Sequence, residues 1–226
     1  NAGGDGAVAQ SGALDVTGST LIITGDHGGN GIAVPVADVT LADAGNSFTG
    51  DVTVIGDNLT LAAAGDLTLA DSRVESDATV SSGGILRVSD AAIGGDAIVT
   101  AFEDMVVIRA SVGGDLHVTG NGVGTQLVDL SVVGSTTVAA GGFAQIVDAS
   151  LANLTITAGL TGILTNVFAQ SVSVETGGVT ISGLTATDAA PDHTFQNNDL
   201  SRASVRCAHI TVPFVYTPLR PLSTLL

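Results

Sequence analysis

The chain has 226 residues, of which 45% are hydrophobic and only 3% aromatic, and its formal net charge is −16. All six basic residues are arginine, and so acidic a surface repels nucleic acid and anionic lipid, which excludes both as expected partners. The single cysteine, Cys207, excludes an internal disulfide framework. No run approaches the roughly 18 apolar residues of a membrane span, so no membrane insertion is expected.

Apolar residues recur along the chain at steps of about 19 residues. A small or polar residue follows each of these anchors, and a short strand-like run comes next, such as DATV, DAIV or DLHV. A second apolar run precedes most anchors, for example LRV from residue 86 and MVVI from residue 105. In chain order the anchors are Val16, Val36, Ile55, Val74, Ile93, Val112, Val132, Leu151 and Phe168.

A unit of this length with two or three short strands and no helical periodicity is typical of one coil of a β-solenoid. Each strand would pair in parallel with its copy in the next coil, about 4.8 Å away, so that inward residues form aliphatic columns. Within DLHV, the alternation predicts that Leu116 and Val118 face the core and that His117 faces solvent. The sequence therefore predicts an all-β fold, a parallel β-solenoid of about ten to eleven coils.

The phrase R-A-S-V occurs at 109–112 and again at 202–205, which predicts that the chain returns to the same corner in a later coil. The glycine-rich segment GDHGGNG, 25–31, is predicted to be a corner loop. Three prolines after residue 212 end the repeat, because proline cannot donate to a ladder. The predicted organisation is coils over 1–188, a corner-loop insertion over 189–200, and a last coil with a capping or docking tail over 201–226.

Residues 8–80 contain the phrases QSGALDVTG, AGNSFTGDV and GDLTLADS. These phrases resemble the repeats of filamentous-haemagglutinin-like exoproteins, the large secreted adhesins of bacterial two-partner secretion systems. The resemblance implies a right-handed parallel β-helix, an extracellular location at the bacterial cell surface, and a role in adhesion or surface structure. It carries no catalytic residues. The phrases VGGDLHV and IGGDAIV resemble, more weakly, those of bactofilins, which are cytoskeletal β-helices that polymerise end to end.

Acidic residues form two columns in the predicted stack. Three residues after their anchors lie Asp77, Asp96 and Asp115, whose carboxylates would repel one another by roughly 0.8 kcal/mol per neighbouring pair in water. A solvated corner is expected, and the alternative is a metal site in which these three carboxylates hold a cation such as Ca²⁺. No other cofactor is expected. Three residues before the anchors lie Asp71, Asp90, Arg109, Asp129 and Asp148, where Arg109 is predicted to neutralise the acids above and below it.

The predicted function is structural or adhesive: an extracellular rod that stacks head-to-tail with further copies of itself through its coil ends and C-terminal tail. One alternative is a monomeric adhesin fragment that binds a host or surface glycan or protein. The other is a polysaccharide-degrading β-helix enzyme. The enzyme is disfavoured because the chain has one tyrosine, no tryptophan and no lysine. We therefore predict no catalytic residues and no enzymatic activity.

Overall fold

The computed structural model describes residues 6–24, 26–28, 32–34, 37–186, 194–196 and 204–207. These residues form strands and turns, without a helix. In chain order the strands are β1 Val8–Ala9, β2 Asp15–Val16, β3 Thr20–Ile23, β4 Asp26–Gly28, β5 Ile32–Val34, β6 Val39–Leu41, β7 Ser47–Phe48, β8 Val52–Gly56, β9 Leu59–Ala63, β10 Leu67–Ala70, β11 Arg73–Val74, β12 Ala78–Ser82, β13 Leu86–Ser89, β14 Ala92–Ile93, β15 Ala97–Ala101, β16 Met105–Val112, β17 Leu116–Gly120, β18 Gly124–Val132, β19 Ser135–Ala140, β20 Phe143–Ala186, β21 Thr194–Gln196 and β22 Ser204–Cys207.

The strands wind into a parallel β-solenoid with a period of about 19 residues, which confirms the predicted fold class. One face of the solenoid is a ladder in which Val39 pairs with Leu59 and Ala78 pairs with Leu59 on one side and Ala97 on the other. This ladder continues through Leu116, Thr136 and Leu154. About six turns of this period are present, so the prediction of ten to eleven coils is wrong. The handedness of the winding stays a prediction.

The predicted anchor column is confirmed in the middle of the chain. Val74 pairs with Ile93, Ile93 with Val112, and Val112 with Val132. The amide that follows each anchor donates to the preceding anchor's carbonyl, as Gly113 N does to Ile93 O at 2.9 Å. These four side chains therefore lie one above another, with stacking and hydrogen bonding in the same register.

The first coil departs from the predicted period. Val8 pairs with Val39, and Thr20 pairs with Val52, at sequence separations far longer than one 19-residue turn. The extra residues include an antiparallel hairpin of β4 and β5, which corrects the prediction that 25–31 is a simple corner loop. Counting this insertion as part of a regular coil is one reason why the predicted number of coils was too high.

Three anchors were misplaced for the same reason. Val16 pairs with Phe48 rather than with a residue near position 36, and Val36 lies outside the described residues. Ile55 pairs with Arg73, so Gly56 and not Ile55 occupies the anchor column beside Val74.

The solenoid axis is filled by aliphatic side chains, most of them fully buried. Leu116 and Val118 are buried and His117 is exposed, as the alternation predicts. Each fully buried leucine or isoleucine contributes roughly 1.5–3 kcal/mol to folding by leaving water. A narrow axis filled by stacked Leu, Val, Ile and Ala accounts for a chain that folds with so few aromatic residues.

At the C-terminal end, β21 pairs in parallel with Ser173–Glu175, and β22 pairs with part of the segment that ends β20. The strand β21 lies inside the segment predicted as a corner loop, and the predicted domain boundaries otherwise stay predictions. Ser204 and Val205, from the second R-A-S-V, lie beside a corner at Gly183, where φ is +78°. Cys207 ends β22, and the tail 213–226 lies outside the described residues.

Candidate functional site

The structure stacks Asp77, Asp96 and Asp115 in one column and gives each carboxylate a backbone partner in the next coil. Oδ1 of Asp77 accepts from the amide of Asp96 at 2.8 Å, and Oδ1 of Asp96 accepts from the amide of Asp115 at 2.8 Å. Oδ1 of Asp115 accepts from the amide of Ser135 at 2.7 Å. The column is therefore a ladder of side chains that tie one coil to the next.

The same geometry explains the recurring glycine before the aspartate. A Cβ at Gly95 would overlap Oδ1 of Asp77, and a Cβ at Gly114 would overlap Oδ1 of Asp96. The carboxylate of one coil thus occupies the space that a side chain would need in the coil above it. Asp104 repeats this arrangement at another corner, where its Oδ1 lies against Gly122 and accepts from the amide of Gly124.

No group of three or more His, Cys, Asp or Glu side chains within the described residues is arranged to hold a metal ion. The predicted alternative of a cation on Asp77, Asp96 and Asp115 stays a prediction. One oxygen of each carboxylate already accepts a backbone N–H, which supplies at each rung the partial positive charge that a cation would supply.

Replacing Asp96 tests which partner the ladder serves. We expect Asp96→Ala to lower the free energy of unfolding by about 1 kcal/mol, because the amide of Asp115 loses its acceptor. We expect Asp96→Asn to stay within about 0.5 kcal/mol of the parent, since the amide oxygen still accepts, as that of Asn58 does from Asp77 N at 3.1 Å. Urea denaturation followed by circular dichroism measures both. A Ca²⁺-induced stabilisation that disappears in Asp96→Asn would instead show a metal site.

The second predicted column turns a corner in the left-handed conformation. Its members have φ between 48° and 57°, and Asn166 joins them one coil further on. Asp and Asn tolerate this conformation better than most residues, because their short polar side chains bond locally. The column is Asp71, Asp90, Arg109, Asp129, Asp148 and Asn166.

Arg109 is the unusual member of this column, and an ion pair holds it there. Its Nε and Nη2 donate to the two oxygens of Asp90, each at 2.6 Å. These hydrogen bonds hold the pKa of Asp90 below its ordinary value and raise the pKa of Arg109. The predicted neutralisation therefore falls on Asp90 by direct contact, whereas Asp129 and Asp71 act on Arg109 through charge alone.

A shallow cavity of about 590 Å³ lies beside this corner. Segments 109–111, 129–131 and 148–150 line it, together with Asn166 and Phe168. We call it the serine trough, because Ser111, Ser131 and Ser150 occupy the same outward position in three successive coils. A second cavity of about 380 Å³ shares Ser111 and Ser131 with it.

Sequence reasoning missed the trough because it placed Phe168 in the core column. Phe168 is 56% exposed, whereas Ala169 is buried. The left-handed corner steps by 18 residues between Asp148 and Asn166, so the anchor moves to Ala169 and Phe168 turns outward. The series of Asp and Asn at the corner is the sequence signal that could have fixed this register.

Within the described part of the chain, no helix is long and apolar enough to span a membrane.

The fold and its side-chain ladders define the protein as a repeat protein of the parallel β-solenoid class. Residues 1–55 match the family model described as "Repeats of unknown function (DUF5649)". No curated protein and no solved structure matches the chain.

Proposed function

We propose that the protein is an extracellular structural rod of the bacterial cell surface whose solenoid stacks head-to-tail with further copies of itself. The resemblance of residues 8–80 to filamentous-haemagglutinin-like repeats supports the location and the structural role. The scarcity of aromatic residues and the absence of lysine support a role without enzymatic turnover.

The observation that carries this proposal is the uncovered first coil. Val8, Val16 and Ile22 are only partly buried, although they lie in core columns. Their partners one coil inward are Val39, Phe48 and Val54, which are 0%, 6% and 0% exposed. The end of the solenoid thus presents apolar core that a further coil would cover.

The backbone of the first coil supports the same conclusion. Within the described residues, β1, β2 and β3 each pair on one side only, with β6, β7 and β8. Thr20 N and Thr24 N donate to Asp51 O and Ile55 O, at 2.8 Å each. Strand alternation therefore directs the amides of Leu21 and Ile23 outward, where they form an edge that can pair with another strand.

A proline at this edge tests the proposal. In Leu21→Pro, an outward amide is lost while the bonds from β3 to β8 are kept, and proline is tolerated on edge strands. We expect the full chain to form concentration-dependent multimers in sedimentation velocity and Leu21→Pro to sediment as a monomer with an unchanged β spectrum. Leu21→Ala is the matched control, since it removes the same exposed side chain but keeps the amide.

Two results would contradict stacking through this edge. One is a full chain that stays monomeric at every concentration. The other is assembly of Leu21→Pro to the same extent as Leu21→Ala. Deletion of 213–226 tests separately whether the C-terminal tail contributes, as the sequence predicts.

The second candidate function is a monomeric adhesin that binds a glycan. The serine trough favours it, because a cavity of this size with exposed hydroxyls, carboxylates and an aromatic ring has the composition of a small-molecule site.

A further inference from the structure

The serine trough runs along the solenoid axis over four coils. Its levels are 109–111, 129–131, 148–150 and 166–168. With adjacent parallel strands separated by about 4.8 Å, three steps give a length of roughly 14 Å. Its volume of about 590 Å³ falls within the range of roughly 300–1,000 Å³ that small-molecule sites occupy.

Three chemical groups meet in the trough and at no other level of this corner. Hydroxyls of Ser111, Ser131 and Ser150 form its floor, carboxylates of Asp129 and Asp148 form one wall, and the ring of Phe168 stands at one end. Asp71 belongs to the same acidic column but has Arg73 in place of the serine. The acidic column alone therefore does not define the trough.

Several polar groups of the trough are free to bind a ligand. Arg109 is engaged by Asp90, and Oδ1 of Asp148 accepts from Nδ2 of Asn166 at 2.9 Å. Among the described residues, Asp129 and the three serine hydroxyls make no side-chain hydrogen bond. The trough thus offers a row of hydroxyls and a carboxylate that water alone satisfies.

The backbone of the floor offers nothing further. Ser111 pairs with Ser131, and Ser131 pairs with Ser150, so the floor belongs to continuous parallel ladders. A peptide therefore cannot bind there by adding a strand, which is how sheet edges recognise extended chains. A ligand of the trough must be recognised through its own hydroxyl groups and its apolar faces.

We propose that the serine trough binds a short neutral oligosaccharide. Sugar hydroxyls would donate to Asp129 and Asp148 and exchange hydrogen bonds with the serines, and the apolar face of a sugar ring would pack on Phe168. Acidic sugars are disfavoured because the wall carries two carboxylates and the nearby guanidinium is already paired. This inference deepens the adhesive candidate and does not depend on head-to-tail stacking.

The test measures binding of three neutral tetrasaccharides, cellotetraose, mannotetraose and tetra-N-acetylchitotetraose, with tetragalacturonate as the acidic counterpart. Isothermal titration and protein NMR are run on the full chain carrying Leu21→Pro, with the parent chain in parallel. The result therefore does not depend on assembly, and failure of binding is separable from failure of stacking. We expect at least one neutral probe to bind at millimolar concentration or below and the acidic probe not to bind.

Four variants locate the binding. Phe168→Ala should weaken it roughly five-fold, as expected for loss of one aromatic contact. Asp129→Asn, which keeps a residue suited to the left-handed corner, should also weaken it. The matched controls are Phe102→Ala, an exposed phenylalanine outside the trough, and Asp71→Asn, in the same column and also outside it. Both controls should leave the affinity unchanged.

The proposal is overturned if none of the three neutral probes binds, or if the acidic probe binds as well as they do. It is also overturned if Phe168→Ala and Asp129→Asn bind like their controls. Preferential binding of a lysine-containing peptide over every tetrasaccharide would assign the trough to a different class of ligand.

Discussion

Gly113→Ala is expected to destabilise the protein by about 3 kcal/mol or more, although residue 113 is exposed to solvent. A Cβ at this position would overlap the carbonyl oxygen and carbon of Gly94, one coil away. A flexible side chain could move aside, but the backbone of a stacked coil cannot move without breaking its ladder. The urea midpoint followed by circular dichroism measures the effect.

Gly65→Ala is the matched control for this substitution. Residue 65 is also an exposed corner glycine, and a Cβ there would meet nothing within 4 Å. We expect its stability to stay within about 1 kcal/mol of the parent, with a gain possible from lower unfolded-state entropy. Equal loss in the two variants would show that close coil stacking is not what requires glycine at 113.

Asn46→Ala is expected to cost about 2–4 kcal/mol and to release the first coil. Asn46 is fully buried, and its Nδ2 donates to Leu41 O and Ala62 O, both at 3.0 Å. Its Oδ1 accepts from Leu14 N and from the side chain of Gln10, both at 2.8 Å. Truncation would leave these buried groups unsatisfied and remove the side chain that joins the first coil to the next two.

Hydrogen exchange separates this local effect from global unfolding. Contacts in a solenoid are mostly between neighbouring coils, so protection should fall over Thr20–Ile23 and persist over Ala97–Ala101 in Asn46→Ala. The control is Asn58→Ala, whose side-chain hydrogen bonds to Asp38 and Asp77 are solvent-exposed and replaceable by water. Uniform loss of protection along the chain would contradict the local role of Asn46.

The fold could be predicted from the sequence where every coil has the same length. From Val74 to Val132 the anchors step by 19 or 20 residues and the strands keep one register, so sequence period and spatial stacking agree. The prediction failed at the first coil, because a hairpin inserted between two coils leaves the sequence period intact over a few residues while displacing the register. It failed at Phe168 because one coil is a residue shorter.

The site could be predicted only in part, for a different physical reason. The columns of Asp77, Asp96 and Asp115 were found, but they were interpreted as repelling charges. Their bonds to backbone amides depend on corner geometry that a list of residues does not contain. The trough depends on which outward residues of four coils meet, and a one-residue error in register removes Phe168 from it.

The most direct test of the stacked-coil account measures distances along one outward column. Spin labels at Thr60 and Thr155 lie five coil steps apart, and labels at Thr79 and Thr155 lie four steps apart. In a Cys207→Ser background, double electron–electron resonance should give mean separations near ~24 Å and ~19 Å, which differ by one strand spacing. Equal separations, or separations that do not shorten when the label moves from Thr60 to Thr79, would contradict the stacking of these coils.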